Sequence, residues 1–436
     1  MNRFTALFTG GCLALAAVGC DDSLLPTAPV GPPLSPSLTL LTVPGLTGVC
    51  IEQGITTSTG DQVDPAIHGN VIVWQDRAND HGDIFAYNRV TGTETPIATN
   101  TADQSNPAVY GDVVVWQDDR NGNADIYAYD LSTDTETQIT SNTANQRLPA
   151  INGDVIVWQD FRNGNDDIYA YDLSTGVETQ ITTDTEHQGF PSIHGDIIVW
   201  QDFRNGNHDI YAYDLSTGIE TQITTEPATQ WGPTIDGDVV VWYDGRNGNF
   251  DVYAHDLSTG TETQVTSDAA NQVLPVIHGG VIVWEDFRNG APDIYAYDLS
   301  TGIETQVTVD PAGQGFPGIH ADVIVWMDAR EGNLDIFALV CGFDPADGLE
   351  ELIDDVEALG PDGSGALNDG QTHALARKLE QAQRLLDRGM VGEALEVLAG
   401  FRQQVRDFET AGFLSAAEAA DLLASADALV AAIGSP

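Results

Sequence analysis

Two kinds of short apolar run recur along the middle of the chain. One is Val155-Ile156-Val157-Trp158 and the other Ile168-Tyr169-Ala170-Tyr171. Both are apolar at consecutive positions, as in a strand buried on both faces between neighbouring sheets. Asn163-Gly164 between them is a two-residue hairpin signal, and Ser174-Thr175-Gly176 turns the second run into a polar strand. Each unit therefore reads as four strands. In the third unit these are a short inner strand at Pro149-Ala150-Ile151, then 154–160, 167–173 and an outer strand at 178–182.

The pattern is strictly periodic. Trp74, Trp116, Trp158, Trp200, Trp242, Trp284 and Trp326 stand 42 residues apart, with Q-x-x-P before each and D-I-Y-A-Y-D-L-S-T-G-x-E-T-Q-I-T after most. A fixed period near 40 with four strands per unit is the signature of a β-propeller, one repeat per blade. The expected fold is mainly β: a seven-bladed β-propeller over 49–342 followed by a C-terminal four-helix α module. The seventh repeat ends without its E-T-Q-I-T strand. Ile55-Thr56-Thr57 lies in register with the outer strands, so the N-terminal segment is expected to complete the last blade and close the ring. Cys50 and Cys341 then fall at positions flanking a blade turn, within disulfide reach. A bond between them implies an oxidising, non-cytosolic compartment.

After Gly342-Phe343 the apolar spacing becomes helical. Helices are expected over about 347–359, 371–388, 391–411 and 415–432, with Gly389, Gly412 and Gly434 beyond three ends and Ser415 with Glu418 as a capping box. Through Leu375, Lys378, Leu379, Leu398, Phe401, Val405, Gly412 and Leu414, among others, residues 347–434 resemble the FIMAH domain. That resemblance implies a surface or secreted accessory module. The propeller units, as in Gly164-Asn165-Asp166-Asp167-Ile168-Tyr169, resemble TolB-type repeats, which implies the propeller fold over about 50–340. The α/β domain of TolB itself has no counterpart in this sequence.

Charge changes the picture next. The formal net charge is −50, and Lys378 is the single lysine. Such a surface repels nucleic acid and anionic head groups, so neither is expected as a partner. The N-terminal 20 residues read as a secretory leader, with Arg3 before an apolar stretch too short to span a bilayer. Ala17-Val18-Gly19-Cys20 resembles the lipobox of bacterial lipoproteins, which implies lipidation at Cys20 and a monomer anchored at the cell envelope, on its periplasmic or outer side. Residues 21–48, with Pro26, Pro29, Pro32, Pro33, Pro36 and Pro44, read as an extended tether.

Candidate chemistry is sparse. The loop holding Asp160, Arg162, Asn163, Asn165 and Asp167 offers oxygen ligands for calcium, but an arginine within six of the seven copies opposes a cation. No cofactor and no metal site is expected. His68, His194, His278 and His320 share one repeat position with Tyr110, Asn152 and Asp236, and the ring of seven is expected to hold them too far apart to ligate one ion. No G-x-S-x-G, H-E-x-x-H, phosphate loop or S-x-x-K is present. Asp64 and Asp236 are the unique acidic residues of the inner strands, the places a propeller glycosidase would use. Each blade does vary at the two residues after its invariant glutamine, such as Arg147-Leu148, Gly189-Phe190, Trp231-Gly232 and Gly315-Phe316. Variation inside a uniform array is where a binding face is written. Arg147, Phe190, Trp231 and Phe316 are the candidate binding residues, with hairpin aromatics Phe161, Phe203, Tyr243 and Phe287 around them. The expected function is a non-enzymatic scaffold recognising an envelope or extracellular protein or polysaccharide. The alternatives are an extracellular polysaccharide hydrolase or lyase, or a structural surface-layer component.

Overall fold

The computed structural model describes residues 43–46, 49–79, 81–343, 345–361, 366–386, 388 and 390–434. The leader, Cys20 and the tether up to residue 42 lie outside the described residues, as does Gly389. Seven antiparallel four-stranded sheets are present, six of them with their strands in sequence order. The third blade comprises Gln146–Asn152, Val155–Asp160, Asp167–Asp172 and Val177–Gln180. Its outer strand ends before the expected residue 182 for a local reason. The amides of Ile181 and Thr182 both turn back to the carbonyl of Ile168, at 2.8 and 3.3 Å, and Thr182 Oγ1 accepts from the amide of Ile168 at 2.8 Å. Its inner strand is longer than expected because pairing resumes on both sides of a bulge between Arg147 and Ala150.

The seven innermost strands contact one another cyclically, from Gln62–His68 round to Gln314–His320 and back, so the ring is closed. The last blade takes Val49–Gly54 as its outermost strand, antiparallel to Asp335–Phe343. Ile55 and Thr56 bond the carbonyl of Ile336 as Ile181 and Thr182 bond that of Ile168. The Cys50–Cys341 disulfide is present and ties residues 291 apart in sequence. Part of the expected tether is packed rather than free. Val43 is buried against Val281 and Ile324, and a side chain at Gly45 would meet Val281 and Asp298.

The core lies between blades. Each of the seven repeat tryptophans is at most 1% exposed, sandwiched by the neighbouring sheet as the unbroken apolar runs require. Trp158, for example, packs with Val115, Ile126 and Ala128 of the preceding blade. Burying an indole removes on the order of 200 Å² from water, worth about 5 kcal/mol before entropy is counted.

The C-terminal module consists of α1 (Pro345–Ala358), α2 (Asp369–Leu386), α3 (Val391–Thr410) and α4 (Ala416–Gly434). Its core is formed by Leu352, Val356, Leu379, Leu398, Phe401 and Leu422, among others. The capping box is formed: Ser415 N donates to Glu418 Oε2 and Glu418 N to Ser415 Oγ. Gly412, at φ +76°, lets α3 end with its own amide on Glu409 O and that of Phe413 on Phe408 O. Among the described residues no helix is long and apolar enough to cross a membrane.

Candidate functional site

The start of each inner strand and the hairpin between the second and third strands share one face. The amide of Gln188, which opens the fourth blade, donates to Asp166 O in the hairpin of the third. A fixed polar frame underlies this face. In the third blade Arg162 bridges Asp160 Oδ2 and Glu178 Oε1, both at 2.6 Å, and its guanidinium lies 4.2 Å from the centre of the Tyr169 ring. Trp158 Nε1 donates to the same Asp160 oxygen at 3.0 Å. Two acids, a planar cation and an aromatic face make a charge-assisted clamp between hairpin and outer strand. Asn163 and Asn165 donate to the two oxygens of Asp167, at 2.7 and 3.0 Å. The loop oxygens read as calcium ligands thus face nitrogen donors.

On this frame the variable pair is held by strained backbone. The second residue of the pair has a positive φ in every blade: Asp64, Asn106, Leu148, Phe190, Leu274 and Phe316 lie at 51–54° and Gly232 at 56°. Left-handed backbone disfavours leucine and phenylalanine, and such outliers gather where the surroundings impose them for use. Here a bulge in the inner strand and the preceding blade impose it. The amide of Gly232 donates to Gln201 Oε1 at 3.1 Å and that of Phe316 to Glu285 Oε1 at 2.7 Å. At Gly189 and Gly315 the preceding blade's side chain fills the space a Cβ would take, with Gln159 Oε1 2.5 Å and Glu285 Oε1 2.4 Å from it. With those glycines in place, Phe190 and Phe316 stand exposed, at 47% and 38%.

The four candidate residues share the face, each at the start of a different inner strand. Arg147 is exposed like the two phenylalanines, whereas Trp231 is half-buried. It packs edge-on to His208 and against Tyr243, in a cluster completed by Phe203 and Phe250. Tyr243, grouped in the sequence with the hairpin aromatics, belongs to the strand Val239–Asp244, and burial pushes its hydroxyl up to about 12. Glu285 is a residue that sequence reasoning passed over. It is 6% exposed, and burial outweighs the bond from Phe316 to push its carboxyl up to about 7. The signal was a lone acid in a column that reads Gln75, Gln117, Gln159, Gln201, Tyr243, Glu285 and Met327.

At the opposite mouth the expectation of separated groups is wrong. His68 and His320 have ring centres 4.2 Å apart, His320 and His278 4.4 Å, and Tyr110 stacks on His68 at 4.2 Å. Asp236 Oδ1 lies 3.3 Å from His194 Nδ1 and 3.6 Å from His278 Nδ1. The inner strands converge more closely at this end than their spacing in sequence conveys. Four of the seven terminal groups are also more than solvated turn residues, because they accept a glycine amide of the next blade: His68 from Gly111, Asn152 from Gly195, Asp236 from Gly279 and His320 from Gly69, at 2.8–3.1 Å. An imidazole accepting at Nδ1 carries its proton on Nε2 and has no second lone pair for a metal. Burial, then the neighbouring His278 and His68, push His320 down to about 4. Among the described residues no group of three or more His, Cys, Asp or Glu is placed to hold a metal ion. Asp64 and Asp236 do not meet. They sit toward opposite ends of their inner strands, four repeat positions apart or roughly 13 Å of extended chain, beyond the spacing of paired glycosidase carboxylates.

Fold and site together define a seven-bladed β-propeller carrying a helical module. Residues 346–431 match the FIMAH domain family, so the C-terminal module is a FIMAH domain, close to the boundaries expected. No curated protein matches the chain. Among solved structures, an oligogalacturonate lyase from Vibrio parahaemolyticus aligns at TM-score 0.54 and 11% identity, covering 70% of this chain and 97% of its own. The β-propeller domain of the Trilobed protease from Pyrococcus furiosus, of open velcro topology, aligns at TM-score 0.54 and 14% identity, covering 66% and 97%. A putative TolB from Agrobacterium tumefaciens aligns at TM-score 0.43 and 14% identity, covering 59% and 97%, too loosely to argue from. At these identities the likeness is one of fold alone.

Proposed function

We propose that this chain is an envelope-anchored binding scaffold whose hairpin face recognises a protein or polysaccharide partner. One observation carries the reading. A shared frame of strands and hairpins presents in every blade a variable pair whose second residue is on left-handed backbone, and it leaves Phe190, Phe316 and Arg147 exposed on one face. Aromatic and arginine side chains on a rigid support are the groups that anchor interfaces. The test is affinity capture from envelope extracts with the full chain and with Arg147→Ala, Phe190→Ala and Phe316→Ala combined. Trp231→Ala is tested separately because of its packing. Loss of a captured component in the triple variant is expected, and unchanged capture removes the site.

The reading as a hydrolase or lyase has one feature in its favour, the carboxyl of Glu285 poised near neutrality. Its oxygen is engaged by the Phe316 amide within the seam between blades, which suits positioning better than proton transfer. Turnover of a polymer by wild type and its loss in Glu285→Gln would favour the enzyme.

A further inference from the structure

The first blade lacks a cation that the other six contain. In those six, Arg120, Arg162, Arg204, Arg246, Arg288 and Arg330 each bridge the strand-ending aspartate and an outer-strand glutamate, and lie 4.1–4.3 Å over an aromatic ring. The equivalent position in the first blade is Ala78. The neighbouring Arg77 stands one position earlier in the loop, and its guanidinium donates to Gln75 Oε1 at 3.0 Å.

The other residue types of the clamp remain, although Asp76 Oδ2 accepts from Gln62 Nε2 at 3.2 Å and not from the indole. Asp76 ends the second strand, Glu94 lies in the outer strand, and Phe85 stacks on Trp74 with ring centres 6.0 Å apart. Phenylalanine is adequate for the cation, because Arg330 lies 4.3 Å over Phe337 in the seventh blade. These residues and Ala78 line a cavity of about 320 Å³, at the small end of the range for ligand pockets. Trp74 is 1% exposed, and its Nε1 has no hydrogen-bond partner, whereas Trp116, Trp158, Trp200, Trp242, Trp284 and Trp326 all donate to their aspartates at 3.0–3.2 Å. A guanidinium carries only donors and cannot itself pair this indole N–H; the open donor marks the changed setting of Asp76, which accepts from Gln62 instead. The Glu94 carboxyl is pushed up by burial and then by the charge of Asp76, the state of two acids facing a space without their cation.

We propose that this cavity is a receptor for the guanidinium group of an arginine side chain on a partner polypeptide. The geometry selects guanidinium over ammonium. Bridging two carboxylates while lying flat on a ring needs a planar fork, and a compact ammonium meets only part of that demand. The site is reachable from solvent, because the six resident arginine side chains are 15–25% exposed and Glu94 itself is exposed. A chain of net charge −50 draws cationic segments toward it. The pocket lies between the hairpin and outer strand of the first blade and the segment Thr56, Thr57 and Ser58 that follows the last blade's outer strand, and it does not include the residues tested above.

The experiment titrates the full chain with Nα-acetyl-arginine amide, its lysine analogue and free arginine, by calorimetry and by melting temperature. Saturable binding of the arginine amide is expected, with the lysine analogue about tenfold weaker, the loss of roughly one charged hydrogen bond. Glu94→Gln, at an exposed position, is expected to weaken the arginine amide by a similar factor. Ala78→Arg supplies the cation from within, so this variant is expected to melt higher and to bind none. Equal binding of the lysine analogue, retained binding in Ala78→Arg, or no saturable binding to wild type overturns the proposal. Binding of free arginine as tight as that of the amide overturns the polypeptide source, since its extra carboxylate is disfavoured beside Asp76 and Glu94.

Discussion

Glu285 shows how much one residue of a repeat can do. Four blades carry glutamine at its position, and a glutamine oxygen accepts a backbone amide without charge. Burial raises the carboxyl from 4.5 to about 7, so the folded chain holds this proton more tightly than the unfolded chain. The sign follows from linkage. The contribution of Glu285 to stability is complete below about pH 4.5 and is lost as pH rises through about 7. Glu285→Gln is therefore expected to match wild type in acid and to exceed it by about 3 kcal/mol above neutrality, at roughly 1.4 kcal/mol per unit. Denaturant unfolding across that range, followed by tryptophan fluorescence, reports the propeller alone because all 8 tryptophans lie within it. A constant difference between the two proteins at every pH would contradict the assignment.

At the scale of the element, the decisive piece is Val49–Gly54, a strand far in sequence from the blade it completes. It brings Glu52 to Arg330, Thr56 to the amide of Ile336 and Cys50 to Cys341. A disulfide closing so long a loop is worth about 5 kcal/mol on the chain-entropy account. Replacing Cys50 and Cys341 together by serine is expected to lower the propeller's unfolding free energy by up to that amount. A reductant should then destabilise wild type and leave the variant unmoved, and equal sensitivity of both would show that the bond does not hold the closure. The pairing was readable beforehand because the period places the two cysteines three repeat positions apart, on either side of a blade turn. The packing of Val43 and Gly45 on Val281 was not, because a stretch rich in proline and small residues carries no periodicity to show where its docking begins.

For the whole molecule, six of the nine arginines of the blades are spent inside clamps, which leaves the acidic residues to dominate the surface. The disulfide suits an oxidising location outside the cytosol, and we propose that the N-terminal residues act as the leader that takes the chain there. Lipidation at Cys20 is our proposal for how it is held there. Mass spectrometry of the mature protein is expected to find an acylated Cys20 as the first residue, and Cys20→Ser to shift the protein from the membrane to the soluble fraction. A mature N-terminus elsewhere, or the same fractionation for both proteins, would sink the anchor.

The sequence alone determined the number of blades, the identity of their four strands, the closure of the ring and the four helices, because each rests on local periodicity of apolar positions. It also displayed the variable pair, since divergence inside a repeat is visible without coordinates. Only the tertiary structure decided what depends on neighbours from different blades. The contact of His68 with His320 spans residues 251 apart along the chain at its hydrogen bond to Gly69, and Glu285 meets Phe316 across 31 residues. The first blade gives the sharpest case. Ala78 was legible as an exception in an arginine column, but whether the space closes is set by how the surrounding side chains pack. The sheet keeps Phe85 and Glu94 at the strand positions the other blades use, while Asp76 pairs with Gln62 and not with Trp74, and the cavity stays open.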